Sequence, residues 1–89
     1  MGETLPNVTA GEVLKLEFME PLGLSARVLA RDIGVPANRV TEIVNGERAV
    51  FAETAILLGR RLGTSAGFWL NLRMAHDLEE ARRRMAVAV

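Results

Sequence analysis

Glycine divides this chain into short segments, and inside each segment the apolar residues recur at the spacing of an α-helix. Breaks are expected at Gly23, Gly34, Asn45-Gly46 and Gly63, because such residues interrupt helices and form turns. Alternation of apolar and polar residues is weak, and the chain contains no tyrosine. The sequence therefore predicts an all-α fold. The five expected helices cover residues 11–20, the stretch between Ser25 and Gly34, the stretch from Pro36 to Asn45, residues 52–62, and the stretch from Ser65 to about Arg84.

The first helix is expected to turn one apolar stripe to the core. Its members, Leu14, Phe18 and Leu22, follow one another at intervals of four residues. Pro21 and Gly23 are expected to end this helix, because proline lacks the backbone N–H that a helix interior requires. A comparable apolar stripe, made of Phe68, Leu72, Ala75, Leu78 and Ala81, predicts that the last helix continues through that stretch.

The length of 89 residues suffices for one domain and not for two. Hydrophobic residues make up 49% and charged residues 25% of the chain, which is ordinary for a globular protein and excludes disorder as its main state. We expect a flexible N-terminal segment at residues 1–9, a helical domain at residues 10–84, and a frayed tail at residues 85–89.

The residue types needed for catalysis are scarce. The absence of cysteine excludes disulfides, thiolate metal sites and cysteine nucleophiles. His76 is the one histidine, and with Glu80 it supplies two ligands, which are too few for a metal site. We therefore expect no enzyme, no metal, no cofactor and no small-molecule ligand. No apolar run reaches the roughly 18 residues of a membrane span, and no signal peptide is visible, so a cytoplasmic location is expected.

Charge is distributed unevenly along a chain whose net charge is zero. Four glutamates against Lys15 leave residues 1–24 at −3, whereas six arginines against four acidic residues leave residues 25–63 at +2. Residues 64–89 carry four arginines and three acidic residues, which gives +1. An anionic partner would therefore dock most easily on the middle of the chain.

The second and third helices carry the pattern of a helix-turn-helix. A small residue, Ala30, allows the two helices to cross closely, and Gly34 supplies the positive φ of a tight turn. Val40 and Ile43 are expected to point back into the core. The outward residues of the third helix are short or polar, which suits a helix that enters the major groove. A helical hairpin without a nucleic-acid role is the alternative.

Arginines flank this pattern where phosphates would lie. Arg27 stands at the start of the second helix, beside the N–H groups that follow Ser25, and Arg48 stands just after the third helix. The predicted DNA-binding residues are Arg27, Ala37, Asn38, Arg39, Thr41, Glu42, Asn45 and Arg48.

Two of these side chains have alternative roles. Asn38 is expected to pair with adenine, or else to cap its short helix. Glu42 accepts a hydrogen bond from cytosine, or else balances Arg39, which is itself expected to meet phosphate. Thr41 is expected to contact a thymine methyl group.

The last helix carries a longer apolar stripe than a small core requires, which indicates a partner. A homodimer seam is the plainest interpretation, because a dimer also supplies two half-sites about 34 Å apart. Adjacent Phe68 and Trp69 are expected to close the core and to reach this interface. The run Arg82-Arg83-Arg84 is expected to be a solvated helix end. The predicted dimer-interface residues are Trp69, Leu72, Ala75, Leu78 and Met85.

The chain resembles the HigA-type antitoxins, a branch of the lambda-repressor-like helix-turn-helix proteins, over about residues 10–82. The specific blocks are residues 20–25, Glu-Pro-Leu-Gly-Leu-Ser, and residues 68–72, Phe-Trp-Leu-Asn-Leu. This resemblance implies a five-helix domain and a homodimer that binds double-stranded operator DNA and represses its own operon. It also implies a toxin partner of the RelE type, an mRNA-cleaving ribonuclease.

Three positions depart from the pattern of that family. Ala26 stands where glutamine often helps to hold the DNA backbone, and Phe51 stands where a threonine or serine usually caps the fourth helix. Ala66-Gly67 replaces a common Pro-Glu at the start of the fifth helix. A stand-alone phage-type repressor without a toxin, or an interaction module that has lost DNA binding, are the remaining alternatives.

Overall fold

The computed structural model describes the backbone of residues 7–88 and the side chains of residues 7–86, and over that part it contains helices and turns without strands. Five helices follow one another, as predicted. Helix α1 consists of an α-helical start, Ala10–Val13, a π-helical stretch, Leu14–Met19, and a final turn, Glu20–Leu22. The other helices are α2 (Ala26–Ile33), α3 (Ala37–Val44), α4 (Ala52–Leu62) and α5 (Ala66–Ala88).

The start of α1 is fixed by side chains on both sides of it. The Thr9 hydroxyl accepts from the Glu12 backbone N–H at 3.0 Å, and the Glu12 carboxylate accepts from the Thr9 N–H at 3.0 Å, which forms a capping box. The Asn7 amide donates to α5, to the His76 carbonyl at 2.9 Å and the Glu80 carboxylate at 3.0 Å. Residues 7–9 of the segment expected to be flexible are therefore held in place, and residues 1–6 lie outside the described part.

Helix α1 does not stop at Pro21, which is a correction of the sequence prediction. The helix continues to Leu22 and ends at Gly23, where φ is 66°. The wider π-helical turns before the proline relieve the clash between its ring and the preceding turn. They also bring Met19, five residues after Leu14, to the core, whereas Leu22 is 56% exposed and does not belong to the buried stripe.

One hydrophobic core joins all five helices. Trp69 of α5 belongs to this core and has no exposed surface, and its indole N–H donates to the Thr64 hydroxyl at 2.7 Å. The indole ring also packs at centroid distances of 5.3 Å against Phe18 and 5.0 Å against Phe68. The other buried apolar residues are Ala10, Leu14, Met19, Leu29, Ala30, Ile33, Val40, Ile43, Val50, Ala55 and Leu58.

Helix α5 runs to Ala88, four residues beyond its expected end at Arg84. Most of the expected frayed tail is thus helical, while Val89 lies outside the described part. The helix gives the molecule its length, since the chain measures 45 Å along its longest axis and 22–23 Å across. None of the helices within residues 7–88 combines the length and the hydropathy of a membrane span.

Candidate nucleic-acid interface

The turn between α2 and α3 has the predicted geometry. Gly34 adopts a left-handed φ of 76°, and its N–H and that of the next residue bond back to α2 at 3.2 and 3.0 Å. Ala30, Val40 and Ile43 lie buried where the two helices meet, as predicted. Pro36 stands just before α3 as its N-cap residue rather than inside its first turn. The two helices therefore form a rigid helix-turn-helix.

A close contact with α1 sets the position of α3. Gly11 packs directly on the end of α3, and a Cβ atom at this position would overlap the carbonyl oxygen of Ile43. Sequence reasoning assigned no role to Gly11. Its signal was an isolated glycine inside an otherwise helical pattern, which often marks close packing of two backbones.

The outward face of α3 presents the predicted groove residues to solvent. Asn38, Thr41 and Asn45 are exposed and lie three and four residues apart, so they share one side of the helix. Ala37 is exposed at its first turn, whereas Arg39 is half-buried at its flank. The structure thus brings these side chains together on a single accessible surface.

Glu42 has different partners from those expected. Its carboxylate accepts from the Asn38 amide at 3.3 Å and from Arg48 Nε at 2.7 Å. Among the side chains of residues 7–86, Arg39 forms no ion pair, so the prediction that Glu42 balances the charge of Arg39 is wrong. The alternative role of Asn38 as a helix cap is also wrong, because α3 begins after Pro36 without a side-chain cap.

Arginines of α2 line a groove between that helix and the start of α3. Arg27 is exposed beside Ser25, whose hydroxyl caps α2 by accepting from the Val28 N–H at 3.1 Å. Arg31, one turn further along, lines the same groove with a side chain that is 76% exposed. The sequence prediction missed Arg31, although its spacing of four from Arg27 places both on one side of α2. This groove can accept an anion such as phosphate.

Phe51 stands at the start of α4 without capping it. Its side chain makes no hydrogen bond to the helix and is 55% exposed, so burial does not offset the missing cap. The guanidinium of Arg73 lies 4.3 Å from the centre of its ring. This cation–π contact joins the loop after α3 to α5.

The predicted dimer seam needs one correction. Trp69 is completely enclosed by its own chain, so its ring is not available to a second copy. Leu72 is half-buried and Ala75 is exposed, while Leu78 and Met85 are exposed by 47% and 68%. Two apolar residues beside Leu78, Leu70 and Met74, were not part of the predicted seam. They line one surface groove with Leu78, and Met74 is 56% exposed.

Glu80 is engaged by the N-terminal segment of the chain. The hydrogen bond from Asn7 lowers the pKa of the Glu80 carboxyl below its ordinary value of 4.5, with assistance from the charges of His76, Arg83 and Arg84 and opposition from desolvation. Over the described part of the chain, no three side chains of the metal-ligating types come together.

Comparison with known proteins gives consistent matches. The family profile described as helix-turn-helix covers residues 16–69. The chain is 40% identical over 79 residues to virulence-associated protein I of Dichelobacter nodosus, covering 89% of this chain and 73% of that one. It is 43% identical over 77 residues to the antitoxin HigA-1 of Vibrio cholerae, covering 86% and 72%. Its structure matches the Pseudomonas aeruginosa antitoxin HigA, solved with the higBA promoter, at a TM-score of 0.88 and 36% identity over 93% and 90% of the two chains.

Proposed function

Because the chain belongs to the helix-turn-helix family of the HigA-type antitoxins, we propose that it represses its own toxin–antitoxin operon and neutralises a RelE-type mRNA-cleaving toxin. It would act as a homodimer on double-stranded operator DNA. The membership confirms the resemblance carried by residues 20–25 and 68–72, and places the chain among DNA-binding regulators rather than enzymes.

The exposed face of α3 is the observation that carries the DNA-binding part of this proposal. Side chains able to bond base edges, those of Asn38 and Thr41, occupy the middle of that face. Arg27, on α2 beside the start of α3, and Arg48, in the loop after α3, add cations near that face, which supports contacts with the phosphates that flank a groove. The proposed DNA-binding residues remain Arg27, Ala37, Asn38, Arg39, Thr41, Glu42, Asn45 and Arg48.

Binding to the promoter of its own gene tests this part. Fluorescence anisotropy should show tighter binding to that duplex than to a random duplex of equal length. Arg27→Ala should weaken binding, whereas Arg60→Ala, which removes an exposed arginine from α4, should change it little. Equal affinity for both duplexes would argue against a sequence-specific repressor.

Helix α1 offers a surface for the toxin. Glu17 and Glu20 are exposed and form no ion pair within the described part of the chain, and Leu16 beside them is 53% exposed. A protein that cleaves mRNA needs a positively charged surface to hold phosphates. An acidic face with an apolar centre complements such a surface, which supports α1 as the contact site.

Co-expression with the product of the neighbouring gene tests the toxin part. The wild-type chain should restore growth, and Glu17→Lys combined with Glu20→Lys should not, although both should bind promoter DNA. Glu53→Lys, an exposed glutamate on α4, serves as the control and should restore growth. A neighbouring gene whose product is not toxic would favour a stand-alone repressor.

A further inference from the structure

Two side chains of α3, those of Asn38 and Glu42, form one connected network with Arg48, which lies in the loop after the helix. Glu42 offers a different carboxylate oxygen to each of two donors: Oε2 accepts from Asn38 Nδ2 at 3.3 Å, and Oε1 accepts from Arg48 Nε at 2.7 Å. Resting on the proposed DNA binding, we infer that Glu42 reads no base itself and is a positioning residue, which fixes the amide of Asn38 in the orientation that selects adenine.

The chemistry of the contact determines which way the Asn38 amide faces. An ionised carboxylate only accepts hydrogen bonds, so the amide nitrogen, not the oxygen, must face Glu42. The amide nitrogen carries two hydrogens. Glu42 accepts from the hydrogen that points away from Oδ1, because next to the other hydrogen the carboxylate would be repelled by Oδ1. The second N–H and Oδ1 remain side by side and unbound.

This remaining pair matches adenine and mismatches guanine. In the major groove adenine presents the N6 donor beside the N7 acceptor. N7 can accept from the free amide N–H of Asn38, and the N6 amino group can donate to Asn38 Oδ1. Guanine presents two acceptors, O6 and N7, so that O6 would face Oδ1 without a hydrogen. With the amide held in place, the affinity for a site with adenine should exceed that for a site with guanine by roughly 5- to 150-fold, the discrimination expected of one bidentate pair.

The same network argues against a direct contact between Glu42 and cytosine. Both carboxylate oxygens already have donors, and the bond to Arg48 is short and charge-assisted. The Glu42 side chain is 30% exposed, whereas Asn38 is exposed.

Glu42→Gln tests the inference with little change in shape. A glutamine has one oxygen and one amino group, so it serves one of the two donors only. Arg48, which is charged, should keep the oxygen, and the Asn38 amide should turn over to accept from the amino group. The preference for adenine at one position of the operator should then fall by about 2- to 13-fold, the value of one net hydrogen bond. Binding to random DNA should rise, because a negative charge is lost near the phosphates.

Glu47→Gln is the matched control. Glu47 is an exposed glutamate one residue before Arg48, and its side chain has no hydrogen bond within residues 7–86. Its removal should raise binding to random DNA as well, while base preference stays as in the wild type. Selection from a randomised duplex library, followed by competition with single-base variants of the selected site, measures both quantities for each protein.

A double variant separates positioning from a general structural effect. In the background of Asn38→Ala, Glu42→Gln should have no further effect on the adenine position, because no amide is left to orient. A wild-type selection without any preferred site would refute the proposed DNA-binding function itself. A preferred site that is unchanged in Glu42→Gln, or that changes at a cytosine instead, would overturn the inference alone.

Discussion

The contact between Gly11 and α3 predicts a large and specific loss of stability in Gly11→Ala. The new Cβ would overlap the Ile43 carbonyl oxygen and approach the Ile43 carbonyl carbon to 2.8 Å and Val44 Cα to 3.0 Å. All three are backbone atoms, so the helices must move apart, which costs up to about 3 kcal/mol for an overpacked core. Alanine regains about 0.5–1 kcal/mol as the better helix former. The net loss of about 2 kcal/mol lowers the melting temperature by roughly 8–16 °C.

Thermal unfolding followed by circular dichroism measures this loss, with all proteins at one concentration because the proposed dimer would make the midpoint depend on concentration. Gly67→Ala is the matched control, since Gly67 lies exposed in the first turn of α5 and a Cβ atom added there would come no closer than 3.9 Å to the Ser65 hydroxyl oxygen. That variant should gain up to about 1 kcal/mol. If Gly11→Ala melts like the wild type, or if both variants fall together, the close approach of the two backbones does not determine the packing.

Three further predictions concern single side chains. Arg48→Ala should weaken binding to specific and random duplexes alike and reduce the slope of log affinity against log salt by about 0.9, the value of one phosphate contact; an unchanged slope in a salt titration would contradict this role. Leu78→Glu should convert a two-chain species into a single chain, because it places a charge in the proposed seam; light scattering after gel filtration measures the mass, and a wild-type monomer at tens of micromolar would refute the seam. The lowered pKa of Glu80 means that its contribution to stability is present above pH 4.5 and is lost as the pH falls through its folded-state pKa. Asn7→Ala should therefore lower the melting temperature more at about pH 6 than at an acidic pH where Glu80 is protonated, although the bond from Asn7 to the His76 carbonyl is lost at either pH. An equal effect at both would show that the bond to the ionised Glu80 carboxylate is not the cause.

Local sequence signals predicted the helices well where a glycine marks the end. Gly23, Gly34 and Gly63 each close a helix in the left-handed conformation, as expected from turn chemistry. The bounds of α4 were predicted to the residue, because Phe51 and Gly63 flank an uninterrupted stripe. The π-helical stretch in α1 was not predictable from a period of 3.6 residues, since its five-residue spacing from Leu14 to Met19 falls outside that pattern.

The site was predicted as a set of residues but not as a network. Spacing along one helix places Asn38 and Glu42 together, because residues four apart are neighbours. Arg48 lies beyond the helix end, and only the path of the turn at Gly46, with a φ of 77°, brings it back to Glu42. Trp69 was misjudged for a related reason: a periodic pattern shows that a face is apolar, but not whether its own chain or a second copy covers it.

The chain carries equal numbers of basic and acidic residues, and several of its arginines form ion pairs with acidic side chains, which bears on how it would bind DNA. Arg61 donates to Asp32 at 3.1 Å, Arg31 lies 3.8 Å from the same carboxylate, and Arg48 is bound to Glu42. Of the described arginines on the proposed DNA face, Arg27 and Arg39 have no acidic partner. With so few uncommitted cations the chain should gain little from the release of counterions, so we expect its affinity for random DNA to be low. Under the proposed function, the preference for an operator would then come from the bases that the α3 face meets, which is the role proposed for the oriented amide of Asn38.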